Sequence, residues 1–301
     1  MSQEVGSQEV GRSSKFSRRN LLRGGLMASA ALALYAGEIE RHWIEIKHVQ
    51  IGIADLPEAF DGFRIAQLSD IHLDLFTEPF FLRHAIHKIN SLNPDAVVLT
   101  GDFITEFMRS PTFSLRAAWH CAEILQSLNC ARIYGIMGNH DALSNPDEIT
   151  RALTQHGVQV LRNACLPIER NGARFWLAGL DDPLAGRPDL NKTIPARIRG
   201  LRNEPVVLLC HEPDYIDPIL RHAAGQSIRL MLSGHTHGGQ VRMPFYGPLT
   251  LPMMGKNYVE GLFRRGATQL YVNRGIGTVG VPFRFDCPPE ITDITLRRAT
   301  A

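Results

Sequence analysis

Short apolar runs recur along the chain, and five of them end in Asp, His or Asn. Such runs are typical of buried strands. Apolar residues also recur at helical spacing from Glu78 to Leu92 and from Ser114 to Leu128, which predicts two amphipathic helices. Strands that alternate with helices in both halves of the chain indicate βαβ units and an α/β fold. The five runs end at Asp70-Ile71-His72, Gly101-Asp102, Gly138-Asn139-His140-Asp141, His211-Glu212 and Gly234-His235-Thr236-His237.

The remaining patterns predict further strands and helices. Alternation from His42 to Ile53 predicts a first strand. The stretch from Ser144 to Glu148 is typical of a helix start, and this helix is predicted to end near His156. Asn171-Gly172 predicts a tight turn between two strands. Strands are also predicted over 158–161, 165–168 and 174–180, helices over 194–202 and 214–222, and closing strands of a second sheet over 270–273 and 291–296.

The segment from Gly234 to Gln240 carries the strongest chemical signal. It places His235 and His237 at the end of an apolar run, between glycines that allow a sharp turn. Neutral imidazole is a common ligand of divalent metals. One His-x-His pair could arise by chance. In open α/β sheets, however, ligands gather at the carboxyl ends of strands, and packing does not explain five such ends that all carry potential ligands.

The ordered set Asp-x-His, Gly-Asp, Gly-Asn-His-Asp, His and Gly-His-x-His resembles the calcineurin-like metallophosphoesterases. The resemblance covers roughly residues 62–296. It implies a four-layer α/β/β/α sandwich, in which two mixed sheets are flanked by helices and the ligand-bearing loops meet at one edge. The tail formed by 274–278 and 289–291 resembles the subgroup of bacterial phosphodiesterases exported through the twin-arginine route.

The resemblance implies two divalent metal ions per chain, and Mn, Fe or Zn would suit the mixed oxygen and nitrogen ligands. Two metals held close together acidify water toward hydroxide and stabilise both oxygens of an in-line displacement at phosphorus. The implied ligands are Asp70, His72 and His237 for one metal, Asn139, His211 and His235 for the other, and Asp102 as the bridge between them.

His140 matches the family's non-ligand catalytic histidine, which stabilises the transition state or protonates the leaving oxygen. Many relatives carry Gly-Asp-x-x-Asp, and the second Asp orients this histidine. Here Thr105 stands at that position. Either Thr105 or another group, Asp141 among the candidates, orients His140, or the imidazole is held less tightly.

The N-terminus has the pattern of an export leader. Residues 1–15 are polar and predicted to be disordered. Arg18 and Arg19 precede an apolar run from Gly24 to Gly37, which is typical of a twin-arginine signal. At ~14 residues, the run is shorter than the ~20 needed to span a bilayer. Small-x-small cleavage sites end at residues 30 and 33.

We therefore predict a leader over 1–37 and a phosphoesterase domain over 38–301. The twin-arginine machinery would be a partner, and the protein would reside in the periplasm or at the outer face of the cytoplasmic membrane. Two alternatives remain open. The Arg pair could be a chance feature of a basic tail, or an uncleaved leader could associate the protein with the membrane.

Charge and cysteine content narrow the functional classes. The formal net charge is +2, and residues 1–36 contribute +3 of it, so the rest of the chain is near −1. Nucleic-acid binding by bulk charge is not indicated. The five cysteines include no CxxC pair, which indicates mostly buried thiols, with one optional bridge as the alternative.

The leading functional hypothesis is hydrolysis of phosphoesters, most naturally phosphodiesters. An alternative is pyrophosphate cleavage in a nucleotide-linked lipid precursor, since the loop over 241–251 is apolar and expected beside the site. A non-catalytic scaffold is a third hypothesis. It predicts missing ligands, and every ligand position is filled. Asp181-Asp182 is interpreted as a structural turn.

Overall fold

The computed structural model of the protein describes residues 18–74, 76–106 and 110–299. The segment 1–15, predicted to be disordered, lies outside them. Seven α-helices and fourteen strands occur within the described residues. The helices are α1 (Arg18–Leu34), α2 (Pro79–Leu92), α3 (Pro111–Leu125), α4 (Asn139–Ser144), α5 (Pro146–Gln155), α6 (Leu190–Thr193) and α7 (Ile216–Arg221).

Most strands fall where the apolar runs predict them. The first half of the chain contributes β1 (Glu45–Ala54), β2 (Arg64–Leu68), β3 (Ala96–Leu99), β4 (Ile133–Gly135), β5 (Gln159–Val160), β6 (Ala164–Arg170) and β7 (Ala173–Gly179). The second half contributes β8 (Val206–Leu209), β9 (Ile228–Ser233), β10 (Arg242–Met243), β11 (Gly247–Pro248), β12 (Gly261–Arg265), β13 (Thr268–Val272) and β14 (Glu290–Ala299).

Two six-stranded mixed sheets form the centre of the molecule. The first has the order β1-β14-β2-β3-β4-β5, in which β2 to β5 are parallel and β14 runs antiparallel to β2. The second has the order β12-β13-β9-β8-β7-β6, with parallel central strands and an antiparallel strand at each edge. Because the central strands of each sheet are parallel, their carboxyl ends lie at a common edge.

Three apolar cores separate four layers, which confirms the predicted α/β/β/α sandwich. Alternate residues of β3 show the arrangement. Val97 and Leu99 face a core shared with α2, α3 and α5, whereas Val98 faces a core between the two sheets. On the outer face of the second sheet, Leu208 and Met231 join a third core with α7. The period of two along a strand therefore assigns each buried side chain to one layer.

Two element predictions were wrong. The strand over 291–296 belongs to the first sheet rather than the second, because β14 inserts between β1 and β2. No helix spans 194–202. Asp189 instead caps α6 by accepting hydrogen bonds from two backbone N–H groups, and Pro195 ends that helix since its predecessor disfavours the helical conformation. The short helix α4, directly after the β4 loop, was not foreseen.

The N-terminal helix α1 is exposed along its length, and none of the described helices is long and apolar enough to cross a membrane. The segment that follows it is anchored to the body of the protein. The Ala36 carbonyl accepts a hydrogen bond from the Arg284 N–H at 3.0 Å, and the Glu40 carboxylate accepts one from the Cys287 N–H at 2.6 Å. All five cysteines are unpaired, and Cys121, Cys210 and Cys287 are buried.

Candidate metal centre

The loops after β2, β3, β4, β8 and β9 bring all seven predicted metal ligands together. His72 Nε2 lies 3.1 Å from His237 Nε2 and 3.5 Å from Asp102 Oδ2. The same Asp102 oxygen lies 3.0 Å from His211 Nε2. Within this set, Asp102 is therefore placed between a group around His72 and a group around His211.

Three groups of three described residues have potential ligand atoms within 4.8 Å of one another. The first contains Asp70, His72 and His237, and the second contains Asp102, His211 and His235. Asn139 adjoins the second group, since its Oδ1 is 3.0 Å from His235 Nδ1. A third such group joins His72 and Asp102 to His140. The division matches the ligand sets that the family resemblance implies.

The backbone of this centre is held in an unusual conformation. Five of the ligands have positive φ angles: Asp70, His72, Asp102, His235 and His237. Non-glycine residues rarely adopt this region, and such strain concentrates at functional sites. Two glycines allow the loops to approach closely. A Cβ on Gly101 would lie 2.6 Å from the Gly138 nitrogen, and one on Gly138 would lie 2.2 Å from Asp102 Oδ1.

Burial and mutual charge set the protonation of the centre. Burial lowers the pKa values of His235 and His237 to about 4, and the pKa of His72 is lowered well below its usual range by the same cause. Burial also opposes the charge on Asp102, but His211 and His140 hold its pKa well below the ordinary value. Three imidazoles are therefore neutral at pH 7, beside an ionised carboxylate.

The residues present fit divalent metal ions. Nε2 of His211 is buried 3.0 Å from Asp102 Oδ2, in a contact that lacks hydrogen-bond geometry. Burial disfavours charge on His211, but its pKa is raised overall because Asp102 attracts positive charge there. A divalent cation would supply that charge. Buried Asp, His and Asn donors are the ligand types that Mn, Fe and Zn accept.

Hydrogen bonds from outside the centre fix the ligand rings. His72 Nδ1 is 3.0 Å from Thr105 Oγ1, whose hydroxyl donates to Asp74 Oδ2 at 2.6 Å. Nδ1 of His211 donates to the Thr100 carbonyl at 2.6 Å. Such partners set which ring nitrogen faces a metal. Thr105 thus orients His72, not His140.

The carboxylate of Glu106 lies against Nδ1 of His140 as an ion-pair contact. Neither Thr105 nor Asp141, the two residues considered from the sequence, contacts the His140 ring in this way. Asp141 instead accepts hydrogen bonds from the backbone N–H groups of Asp102, Phe103 and Gly138. Glu106 was not predicted as a site residue, although it stands only one position beyond the expected Asp.

A cleft of about 600 Å³ opens onto the centre. His140, His235 and His237 form its polar floor. Its walls are apolar and come from two loops, as predicted for the first of them: Val241, Leu249, Leu251 and Pro252 on one side, and Val279, Val281 and Phe283 on the other. A larger polar cleft beside Arg162 contains none of the predicted ligands. Asp182, as predicted, accepts hydrogen bonds within a turn, from the Leu184 and Ala185 N–H groups.

Comparison with known proteins agrees with this geometry. The family model described as calcineurin-like phosphoesterase matches residues 63–239. The metallophosphoesterase YkuE of Bacillus subtilis is 37% identical, over 94% of this chain and 98% of its own. The phosphodiesterase YaeI of Escherichia coli is 31% identical, over 93% and 99%. The UDP-2,3-diacylglucosamine pyrophosphatase LpxG of Chlamydia trachomatis is 28% identical, over 89% and 96%. The chain therefore belongs to the calcineurin-like phosphoesterases, a family of metal-dependent hydrolases.

Proposed function

We propose that the protein is a two-metal phosphodiesterase. One observation carries the proposal: two buried ligand groups lie side by side at the floor of one cleft, with Asp102 between them. The group of Asp70, His72 and His237 would hold one cation, and Asn139, His211 and His235 would hold the other. Two divalent cations there would acidify water and neutralise the charge of a phosphate.

The chain's own residues supply the remaining chemistry. The His140 side chain is largely buried and belongs to the lining of the cleft. From there it can donate a hydrogen bond to a phosphoryl oxygen or a proton to the leaving oxygen. Glu106 fixes the ring by contacting Nδ1, which leaves Nε2 for the substrate. Asn139 is a neutral ligand, so the centre keeps the positive charge that an anionic substrate requires.

The name of the Escherichia coli relative supports a diester substrate. The apolar walls of the cleft favour a second candidate, cleavage of the pyrophosphate bond in a nucleotide-linked lipid precursor, and the chlamydial relative is named for such an activity. In both cases the reaction is hydrolysis at phosphorus. A non-catalytic scaffold is the weaker hypothesis because all seven ligand side chains are present and converge.

The test measures bound metal together with hydrolysis of an aryl phosphodiester and an aryl phosphomonoester. We expect about two metals per chain and preference for the diester. Asp102→Asn removes the shared carboxylate, so turnover should fall at least about a hundredfold. Asp147→Asn is the matched control, since this Asp is exposed and outside the ligand set. One metal per chain, or full activity of Asp102→Asn, would contradict the two-metal proposal. If two metals are bound but neither aryl substrate is hydrolysed, lipid-linked diphosphates would be tested as substrates.

We also infer that residues 1–37 direct export by the twin-arginine machinery to the periplasm or the outer face of the cytoplasmic membrane. The inference is supported by the Arg18-Arg19 pair and by the apolar run that follows it on an exposed helix. Replacing both arginines by lysine should leave folded protein in the cytoplasm of the producing cell. Normal fractionation of that variant with exported proteins would refute the inference.

A further inference from the structure

Large exposed apolar side chains are concentrated around the mouth of the metal cleft. The hairpin of β10 and β11 presents Phe245 and Tyr246 at its tip, the first fully exposed and the second 78% exposed. Neighbouring side chains on the two loops that wall the cleft are exposed as well. Together they form a surface that we call the rim surface: Met243, Phe245, Tyr246, Leu249, Met253, Val281 and Phe283.

The rim surface is free of charge. No Asp, Glu, Lys or Arg occurs between Met243 and Gly255, or between Gly275 and Phe283. Of the cations that flank these two segments, Arg284 is fully buried, Arg242 pairs with Glu260 and Lys256 is exposed. Contacts between soluble proteins usually have a polar margin, and exposed apolar patches of this kind mark sites of interaction. Aromatic side chains at an uncharged loop tip are typical of groups that enter the membrane interface.

The rim surface continues into the segment that follows α1. A Cβ on Gly37 would lie 3.0 Å from the Phe283 ring, and the ring centroids of Tyr35 and Phe285 are 6.4 Å apart. The segment directly after α1 therefore rests on the outer wall of the cleft. Helix α1 exposes Leu22 and Leu26 and contains three arginines but no acidic residue. Basic, apolar helices of this type bind anionic lipid.

We propose that the rim surface docks onto an anionic phospholipid bilayer, so that the cleft opens at the membrane surface. A membrane-resident amphiphile could then place its phosphoester over the metal centre while its apolar part lies along the cleft walls. The docking rests on the exposed surface alone. The assignment of an amphiphilic phosphoester as substrate class rests in addition on the proposed function.

The test uses the full-length protein and co-sedimentation with phosphatidylcholine vesicles, with and without phosphatidylglycerol. The rim variant carries Phe245→Ser and Tyr246→Ser, two residues that do not line the cleft. Leu201→Ser is the matched control, because Leu201 is an exposed apolar residue near the amino end of β8, opposite the metal centre. A helix variant carries Leu22→Ser and Leu26→Ser. Each form is also assayed on a soluble aryl phosphodiester without vesicles.

Wild type and the Leu201 variant should sediment with vesicles that contain phosphatidylglycerol. The rim variant should partition at least about tenfold more weakly and hydrolyse the soluble diester at the wild-type rate. Phe245→Ser alone should give an intermediate partition, so the result does not depend on one doubly substituted protein.

Three outcomes would overturn the docking proposal: wild type that does not bind, a rim variant that binds like wild type, or binding that only the helix variant loses. Equal binding to vesicles without phosphatidylglycerol would overturn the anionic-lipid requirement. Absence of hydrolysis in every form, with the binding pattern intact, would refute the proposed function and leave the docking proposal standing.

Discussion

At the scale of single residues, two side chains outside the predicted ligand set contact residues of the candidate site. Thr105 connects Asp74 to His72, and Glu106 contacts His140. Outer partners of this kind set tautomer and ring orientation, and their loss commonly reduces metal affinity or activity. Under the proposed function, Thr105 therefore orients a metal ligand and Glu106 orients the catalytic histidine.

We expect Glu106→Gln to reduce turnover roughly ten- to a hundredfold. The neutral amide of the variant carries no negative charge to hold the His140 ring in place or to stabilise a positive charge on it. The predicted metal ligands are unchanged. The loss should be larger for an alkyl leaving group, which needs protonation, than for an aryl one. Metal content measured on the same sample should equal that of wild type. Glu123→Gln, on the exposed side of α3, serves as the control. Equal losses on both leaving groups would contradict a role through His140.

Bound metal should resist mild acid. Burial holds the pKa values of His235 and His237 at about 4, so protons compete with a metal for these rings only near that pH. Asp102 also stays ionised, because neighbouring histidines offset the effect of burial on its pKa.

In the unfolded chain each histidine would titrate near pH 6.5. The stability that the two residues contribute is therefore complete above about 6.5 and is lost as the pH falls toward 4. Dialysis in pH steps should show metal retained at about pH 5.5 and released near 4, whereas half-release near 6.5 would contradict the assignment.

At the scale of elements, the loop between β13 and β14 supports the first ligand. Its Ile276 and Gly277 N–H groups donate to the carbonyls of Ser69 and Asp70 at 3.1 and 2.7 Å. The fully buried Arg284 holds this loop in shape, since its guanidinium donates only to backbone carbonyls. The carbonyls belong to Arg274, Gly275, Gly277 and Cys287. A buried arginine thus determines where the strained Asp70 backbone can lie.

Replacing Arg284 by Met should lower the free energy of unfolding by about 3 kcal/mol or more, because several buried carbonyls lose their donor. The midpoint of urea unfolding measures this loss. Metal affinity should fall as well, since Asp70 loses its support. Arg264→Met, on the exposed face of β12, is the control and should leave both quantities unchanged. An unaltered urea midpoint for the Arg284 variant would show that the loop is held by other contacts.

The sequence was sufficient to predict what depends on local pattern. The hydrophobic pattern located eleven of the strands, and the residues that follow five of them gave the seven predicted ligands. The membership of β14 could not be predicted, because Ile291, Ile294 and Leu296 are buried on both faces and would suit either sheet. Glu106 was missed for a related reason. Its partner, His140, is 34 positions away, and only the packed loops bring the two together.

At the scale of the whole molecule, the segment that follows the predicted leader is packed against the enzyme body. The segment over 35–42 contacts the β13–β14 loop through Ala36 and Glu40. Arg41 also pairs with Glu78 at 2.6 Å. Cleavage after residue 30 or 33 would leave these contacts in the mature protein, whereas a cut at the predicted boundary of 37 would remove the first of them.

A chain that begins at residue 35 should therefore be as stable as the full-length protein. A chain that begins at residue 45 should lose about 2 kcal/mol or more through the missing hydrogen bonds, which corresponds to a melting temperature lower by roughly 5 °C. Circular dichroism melts of the two forms, prepared alike, provide the measurement. Identical melting temperatures would show that residues 35–44 do not contribute to the stability of the fold.

The position of β14 means that the first sheet can form in full only late in the synthesis of the chain. Since β14 lies between β1 and β2, β1 has no neighbouring strand in the first sheet until residues 290–299 have been synthesised. Contacts that span the whole chain in this way are slow to form. A chain truncated before β14 would keep both β1 and the edge of β2 open to aggregation.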